Sequence, residues 1–294
     1  MLIRETKNFL IRVWEGIFVA IDATLAFFYR ESTRFQRAPF KGYDGELGIA
    51  SQLDFWTDDD LQKLNKILRW RAFSLDRSGR RFGQKAWKRR RQFPGAIPSP
   101  EVVLFNQFCR LNKTRVLDVG CFEGIHSVSL SLMGAKVIAV DGRVENIVKT
   151  IVRSGIYGAT IETKKYVFEQ DPIEQIPSDI DYVFHRSVLP LMEDPIKHLH
   201  DLGKLANLGI YLETVVCSTP TETYHSLGKV FSCIKMPNRR IDGEFSGLGR
   251  FSRSIDERTI LDSLRFSGFT RVLHQAVWTN QFGQWLRIIA LKDN

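Results

Sequence analysis

Val116-Leu117-Asp118-Val119-Gly120-Cys121-Phe122-Glu123-Gly124, and then Val137-Ile138-Ala139-Val140-Asp141-Gly142, are the stretches that decide how this chain folds. The first is an apolar run that ends in a glycine-containing turn, and a helix begins after it near Ile125-His126-Ser127. Gly120 lets the backbone turn sharply and admits a ligand close to it, while Gly124 permits tight entry into the helix. The second run ends at Asp141, so a carboxylate stands at the neighbouring strand edge, where two ribose hydroxyls can donate to it.

An acid about 20 residues beyond a glycine turn is the ribose-binding arrangement of Rossmann-like folds. The turn itself reads Asp-x-Gly-x-x-x-Gly. It lacks the Gly-x-Gly-x-x-Gly that seats a pyrophosphate on a helix N-terminus, which disfavours a nicotinamide-dependent oxidoreductase. A nucleoside carrying amino-acid functionality fits this turn better than a dinucleotide does.

Outward from that core, short β-branched runs alternate with helical stretches, the mark of repeated βα units around a parallel sheet. The pattern predicts strands over 115–119, 136–141, 160–168, 180–185 and 209–216, with helices after Gly124, Val144 and Asp194 and over 256–267. Runs at 270–278 and 284–292 are separated by a short polar turn and should pair as an antiparallel hairpin. The fold class is therefore α/β, a Rossmann-like seven-stranded sheet, mostly parallel with a C-terminal antiparallel hairpin. Residues 1–110 are expected to form a helical N-terminal extension with a basic linker, and 111–294 the catalytic domain. Within the latter, 217–254 forms an insert on the substrate side, where loops beyond the carboxyl ends of strands lie.

At 294 residues, 44% hydrophobic and 12% aromatic, the chain can bury a large core, which excludes general disorder. Forty-two Lys and Arg against 33 Asp and Glu give +9, a bias towards acidic partners such as nucleic acid, anionic lipid or phosphorylated metabolites. Cys109, Cys121, Cys217 and Cys233 form no CxxC pair and have no histidine at ligand spacing, so neither a metal site nor a disulfide framework is expected, and a cytoplasmic setting fits. Residues 9–29 are apolar but interrupted by Arg12, Glu15 and Asp22, which argues against a membrane span and makes a poor secretory signal. Leu10, Val13, Trp14, Ile17, Ile21, Leu25 and Phe28 recur at helical spacing instead, giving an amphipathic helix that packs on protein, on a second subunit in an oligomer, or on a membrane surface.

On the residues quoted, LDVGCFEG followed by VIAVDG resembles the first two motifs of class I S-adenosylmethionine-dependent methyltransferases, with Phe122 where the commonest form has glycine. The resemblance implies S-adenosylmethionine as cofactor and the methyltransferase version of the seven-stranded sheet. By it, Asp118, Gly120 and Gly124 line the methionine moiety and Asp141 holds the ribose, with Cys121 and Gly142 as further cofactor-binding positions. Downstream, Ile173-Glu174-Gln175-Ile176-Pro177, Asp181-Tyr182-Val183-Phe184, Val188-Leu189, the run from Asp194 to Leu199, and Leu212-Glu213-Thr214 look like the tRNA wobble-uridine carboxymethyltransferase branch. That similarity covers 115–216 and implies that Ile173 and Glu174 lie beside the adenine, with Asp171 as the other candidate acid. Nothing upstream aligns with the lysine and tryptophans that recognise a carboxylated cofactor in that branch, so ordinary S-adenosylmethionine is expected.

Methyl transfer needs alignment and exclusion of water more than a dedicated catalytic group. If the acceptor must lose a proton, the candidate base is His185 at the end of the fourth strand, against the reading of a hydrogen-bonded structural histidine. Arg186 beside it could bind an anionic acceptor, while His126, His198 and His200 are expected on helix faces. Between Arg77 and Arg91, basic residues interleave with Phe82 and Trp87, a composition for RNA phosphates and bases, for lipid headgroups, or for a solvated linker. In the insert, Tyr224, His225, Phe231, Arg239, Arg240 and Phe245 suit a lid, with Gly247-Leu248-Gly249 as its hinge. The acceptor class stays open among a small or phosphorylated metabolite, a glycan and an RNA base. The rival from another class is a catalytically silent module that binds RNA or membrane through its basic N-terminal region.

Overall fold

The computed structural model describes residues 57–68, 70, 72–75, 81–82, 93–94, 97–238, 247–280 and 283–293. The chain divides into two units, Met1–Gly95 and Ala96–Asn294. In the first, helix α1 (Asp58–Ile67) opens on a capping box: Thr57 Oγ1 accepts from the Asp60 N–H at 3.2 Å, and the Asp60 carboxylate accepts from the Thr57 N–H at 3.1 Å. Strand β1 (Ala72–Leu75) pairs antiparallel with β2 (Arg81–Phe82) and parallel with β3 (Phe93–Pro94). These strands add β-structure to a segment expected as a helical extension with a basic linker. Runs so short cannot repay the cost of nucleating a helical turn and find backbone partners in one another. The amphipathic helix expected at 9–29, and the basic stretch apart from Arg81 and Phe82, lie outside the described residues.

The second unit begins before the boundary expected at 110. Helix α2 (Pro100–Cys109) belongs to it, started by Ser99, whose hydroxyl accepts from the Val102 N–H, and by proline in the first turn. The chain then runs β4 (Arg115–Val119), α3 (Ile125–Leu132), β5 (Lys136–Asp141), α4 (Val144–Ile156), β6 (Ile161–Lys165), β7 (Ile180–Arg186), α5 (Pro195–Leu205) and β8 (Ala206–Val216). After the insert come α6 (Glu257–Phe266), β12 (Arg271–Asn280) and β13 (Gly283–Leu291). The seven-stranded sheet has the order β12-β13-β8-β7-β4-β5-β6, parallel except where β13 runs antiparallel to β8 and β12. Strand order reverses beside β4, so the crevice at its carboxyl end is the topological switch point where such sheets take their ligands.

The insert, expected as a substrate-side loop with the residues of a lid, has regular structure of its own. It carries β9 (Glu222–Ser226), β10 (Lys229–Pro237) and β11 (Phe251–Ser254), a three-stranded antiparallel sheet. Leu227 and Gly228, both at positive φ, make the two-residue hairpin turn between the first two strands. The Arg253 guanidinium lies over the Tyr224 and Phe251 rings, at 4.3 and 4.6 Å, and fixes this sheet to the loop after β7 by donating to the Glu193 carbonyl.

Two apolar layers hold the main sheet. On one face Ile196, Leu199 and Leu202 of α5 and Ile260 and Leu264 of α6 cover Val183, Leu212 and Ile288. On the other, Val102 and Phe105 of α2 pack on Tyr182, Phe184 and Tyr211, with the Phe184 and Tyr211 rings stacked at 4.6 Å. The first layer also encloses two histidines. His185 of β7 and His198 of α5 are buried with their Nε2 atoms 3.0 Å apart, and the Phe168 ring stands edge-on to His198 at 4.8 Å. Burial holds both imidazoles neutral, the His198 pKa falling to about 3 and that of His185 well below its ordinary value. An unfolded chain takes up protons on these rings below about pH 6.5 and the folded chain refuses them, so stability is complete above that pH and drains away as pH falls towards 3. The denaturant midpoint should drop between pH 6.5 and 4.5 by an amount equivalent to as much as about 1.4 kcal/mol per pH unit per histidine. His198→Gln should flatten that slope by about one proton, and an unchanged slope would remove the pair as its source.

Candidate active site

The turn between β4 and α3 is built by left-handed backbone. Gly120 (φ 68°) and Gly124 (φ 79°) take conformations open to glycine, and Phe122 (φ 51°) joins them at some cost. Space enforces the same choice: a Cβ on Gly120 would overlap Val188 Cγ2, and one on Gly124 would sit 2.9 Å from Thr150 Cα. Ser187 (φ 61°), just past β7, is a second strained non-glycine residue, and its kink turns Val188 onto Gly120. Strain at Phe122 and Ser187 thus falls on the two loops that border the crevice beside β4.

Asp141 ends β5 with a carboxylate already oriented by the protein. Oδ1 accepts from the Arg143 N–H at 2.8 Å; Oδ2 accepts from the Phe122 N–H and from Asn146 Nδ2, both at 3.1 Å. Burial raises its pKa and these three donors pull it back. Oδ1 keeps a lone pair for a ligand hydroxyl, and Oδ2 gains one if the Asn146 amide turns away, so this pair of acceptors fits a vicinal diol. Asp118 lies beneath, buried, accepting from Ser127 Oγ at 2.5 Å. Desolvation lifts its pKa to about 7, against the lowering effect of Ser127 and with a further push from Asp141.

Glu123, in the turn, has no exposed surface. Lys149 Nζ lies 2.7 Å from its carboxylate, Arg153 Nε donates to its carbonyl at 2.6 Å, and the Arg153 guanidinium stands 3.8 Å from Oε2. To meet it, α4 turns its polar side inward: Asn146, Lys149, Thr150 and Arg153 are buried, while Val144, Val148 and Ile151 face outward. None of this was legible from composition, although Asn146, Lys149, Thr150 and Arg153 recur at helical spacing.

The remaining candidates scatter. Cys121 is buried, its Sγ 3.4 Å from Thr150 Oγ1, and desolvation raises its pKa well above the thiol norm, so it serves as packing in the turn. Gly142 follows Asp141, and the space a side chain there would fill is taken by Leu248 of the expected hinge and bordered by Val167. The segment around Leu248 is docked rather than loose, with the Arg250 N–H donating to Glu193 Oε1 at 2.7 Å and Asn238 Nδ2 to the Gly249 carbonyl at 3.0 Å. Arg239, Arg240 and Phe245 lie outside the described residues. Ile173 and Glu174 form a short 3-10 helix after β6, and Asp171 accepts from the Val167 N–H at 2.7 Å. His185 is inside the apolar layer against His198, where it presents no surface to an acceptor.

His126, by contrast, is on the first turn after Gly124 and partly exposed. Its Nδ1 lies 3.0 Å from Ser99 Oγ, which already accepts the Val102 N–H. Desolvation lowers the His126 pKa to about 4, so it stays neutral. Near it, Arg186 bridges Glu213 at 3.0 Å and Glu101 at 3.3 Å. Among the described residues no group of His, Cys, Asp and Glu has the arrangement of a metal site, and no helix is long and apolar enough to cross a membrane. A cleft of about 600 Å³ at the start of α6, lined by Asp256, Arg258, Asp262, Arg265 and Gln284 among others, shares no residue with the turn.

Comparison with known proteins agrees with this architecture. No family model matches the chain. It is 27% identical over 157 residues to a ubiquinone biosynthesis O-methyltransferase of Maricaulis maris (strain MCS10), covering 53% of this chain and 59% of that protein. It is 36% identical over 93 residues to a protein of the same name from Pseudoalteromonas translucida (strain TAC 125), covering 32% and 39%. The chain thus spans well under two thirds of either relative. Among solved structures, the N-terminal domain of EvdMO1 with SAH bound superposes with a TM-score of 0.60 at 19% identity, over 81% of this chain and 97% of that one. EvdMO1 itself gives 0.57 at 20% identity, over 83% and 49%. The sheet order, hairpin and switch-point turn define a Rossmann-like methyltransferase fold.

Arg153→Met would leave the buried Glu123 charge undercompensated and should destabilise the protein by about 3 kcal/mol. Adding Glu123→Gln together with Lys149→Met, so that no buried charge is left unpaired, should restore much of that loss. Denaturant unfolding of the two variants decides it: equal stabilities would show that the charge contact is not what holds the turn.

Proposed function

We propose that this chain is an S-adenosylmethionine-dependent methyltransferase acting on an oxygen nucleophile of a small molecule. The observation that carries the reading is Asp141, a carboxylate with spare acceptor capacity at the strand edge beside a left-handed glycine turn. SAH in a structural neighbour and the O-methyltransferase name of the curated relatives support cofactor and acceptor atom respectively.

In this reading the cofactor supplies a methyl group activated on a sulfonium. Asp141 accepts the ribose hydroxyls while the Phe122 and Arg143 N–H groups keep its carboxylate in place. Gly120 and Gly124 bring backbone close to the methionine portion, and Cys121, Gly142, Ile173 and Glu174 complete the contacts, the last two beside the adenine. Asp118 under the turn supplies negative charge facing the cationic part of the ligand. Leu248 and the insert sheet exclude water from that side. His126 stands as a neutral imidazole on the first helical turn. Alignment of the reacting groups supplies most of the rate, and His185 is assigned no role in it. The similarity to tRNA-modifying enzymes over 115–216 contributes the adenine contacts; a small acceptor is favoured over an RNA base by the relatives' names.

Calorimetric titration should show micromolar binding of S-adenosylmethionine and S-adenosylhomocysteine and none of NAD. Folded Asp141→Ala should bind at least about tenfold more weakly, having lost a charge-assisted contact. Retained affinity would move the ribose elsewhere, and no binding by the parent protein would favour a silent interaction module.

A cationic ligand beside Asp118 lowers a pKa that stands at about 7. S-adenosylmethionine binding at pH 6.5–7 should therefore release protons, read as an enthalpy that varies with the ionisation heat of the buffer. The dependence should vanish in Asp118→Asn, and its persistence there would place the proton on another group.

A further inference from the structure

Arg186, Glu213 and Arg287 form one cross-strand row. The register sets Arg186 of β7 opposite Glu213 of β8, and Glu213 opposite Arg287 of β13. Glu213 is buried and takes the Arg186 Nε at 3.0 Å on Oε1, and the Arg287 Nε at 2.7 Å and the Tyr211 hydroxyl at 2.8 Å on Oε2. Val119 pairs with His185, so Arg186 is abreast of Gly120, the first residue of the cofactor turn. The row therefore runs from the hairpin directly to the place assigned to the methyl donor.

Such a row is expensive if its purpose is stability, because buried ion pairs are often no better than apolar residues of the same size. Its outer parts are also unfinished. The side chains keep 33% (Arg186) and 24% (Arg287) of their surface exposed. A guanidinium has five N–H donors; among the described residues Arg287 uses its Nε, and Arg186 its Nε and the nitrogen facing Glu101. The Arg287 guanidinium lies over the Trp278 ring at 5.0 Å, and Trp278 stacks on Trp285 at 6.1 Å. Cationic N–H donors, locked at their inner ends and bordered by a flat indole wall, are what remains facing outward.

We propose that Arg186 and Arg287 anchor the methyl acceptor through a carboxylate carried on a planar aromatic scaffold. The proposal rests on the methyl-transfer reading of the neighbouring turn. A cationic acceptor offers no lone pair to these outward N–H donors, and an apolar one leaves them to water. A carboxylate takes two parallel N–H bonds from a guanidinium fork, and Glu213 has already fixed both forks, so little ordering is lost on binding. Trp278 gives the ring a surface beside its anchor.

Titrations of the full chain with benzoate, 4-hydroxybenzoate and the corresponding neutral amides, followed by tryptophan fluorescence and calorimetry with and without S-adenosylhomocysteine, test this. The acids should bind at least about tenfold more tightly than the amides. Arg186→Met and Arg287→Met should each erase that preference while leaving S-adenosylhomocysteine affinity within about twofold. Arg287→Lys, which keeps the charge beside Glu213 and protects folding, should lose most of the preference because the fork is gone. Equal binding of acids and amides, binding of neither, or an undiminished preference in the folded variants would overturn the proposal. Acid selectivity without S-adenosylhomocysteine binding would overturn the methyl-transfer reading and leave the anion site standing.

Discussion

The carboxylate of Glu123 has no contact with water, and its charge has to be answered from within the fold. Lys149 and Arg153 answer it from α4, and an ion left unpaired in such a place costs several kcal/mol. This requirement fixes more than one local contact. It draws α4 against the turn until Thr150 stands where a side chain on Gly124 would lie. It also brings Asn146, on the same inward side, to the Asp141 carboxylate. Turn, Asp141 and helix are thus held by one buried charge, and the strained φ of Phe122 is tolerated because its neighbours leave the backbone nowhere else to go.

Chemistry at this edge is divided between the two faces of the sheet. Under α5 and α6 the layer is apolar, and its histidines, His185 and His198, meet each other through their Nε2 atoms. Under α2 and α3 the layer is aromatic in its depth and becomes polar at its rim, where His126, Arg186, Glu213 and Arg287 succeed the rings of Phe105, Phe184 and Tyr211. Residues next to each other in sequence therefore meet different environments. His185 and Arg186 alternate across the strand, so one enters the apolar layer and its neighbour reaches the rim.

That alternation explains why the sheet was readable from sequence and part of its site was not. Strands at 115–119 and 136–141 end where the apolar runs end, because burial on both faces leaves a continuous hydrophobic signal. The turn and Asp141 were legible since glycine and acid stand at spacings that backbone geometry demands. His185 drew attention by lying at a strand's end, but the face it occupies depends on register, which a lone histidine does not reveal. The helix α4 misleads in the opposite sense: Val144, Val148 and Ile151 form its apparent apolar face, yet the carboxylate of Glu123, one helix and one strand earlier in the chain, decides that the polar face is buried. The strands of the insert were hidden by turn-forming residues, which mark the ends of hairpins as readily as loops.

Under the proposed function the chain gains most from holding two ligands in line and from keeping water out, and little from a proton acceptor of its own. The placement of charge follows that need under the proposed function. Negative groups, Asp118 and Asp141, gather on the side assigned to the cationic cofactor, while the exposed parts of Arg186 and Arg287 lie on the acceptor side. Glu213 lies between the two guanidinium groups and prevents either from swinging towards the cofactor turn, where a positive charge would oppose the sulfonium. Separation of sign along one strand edge therefore orients both ligands, with Glu123 securing one end of that edge and Glu213 the other.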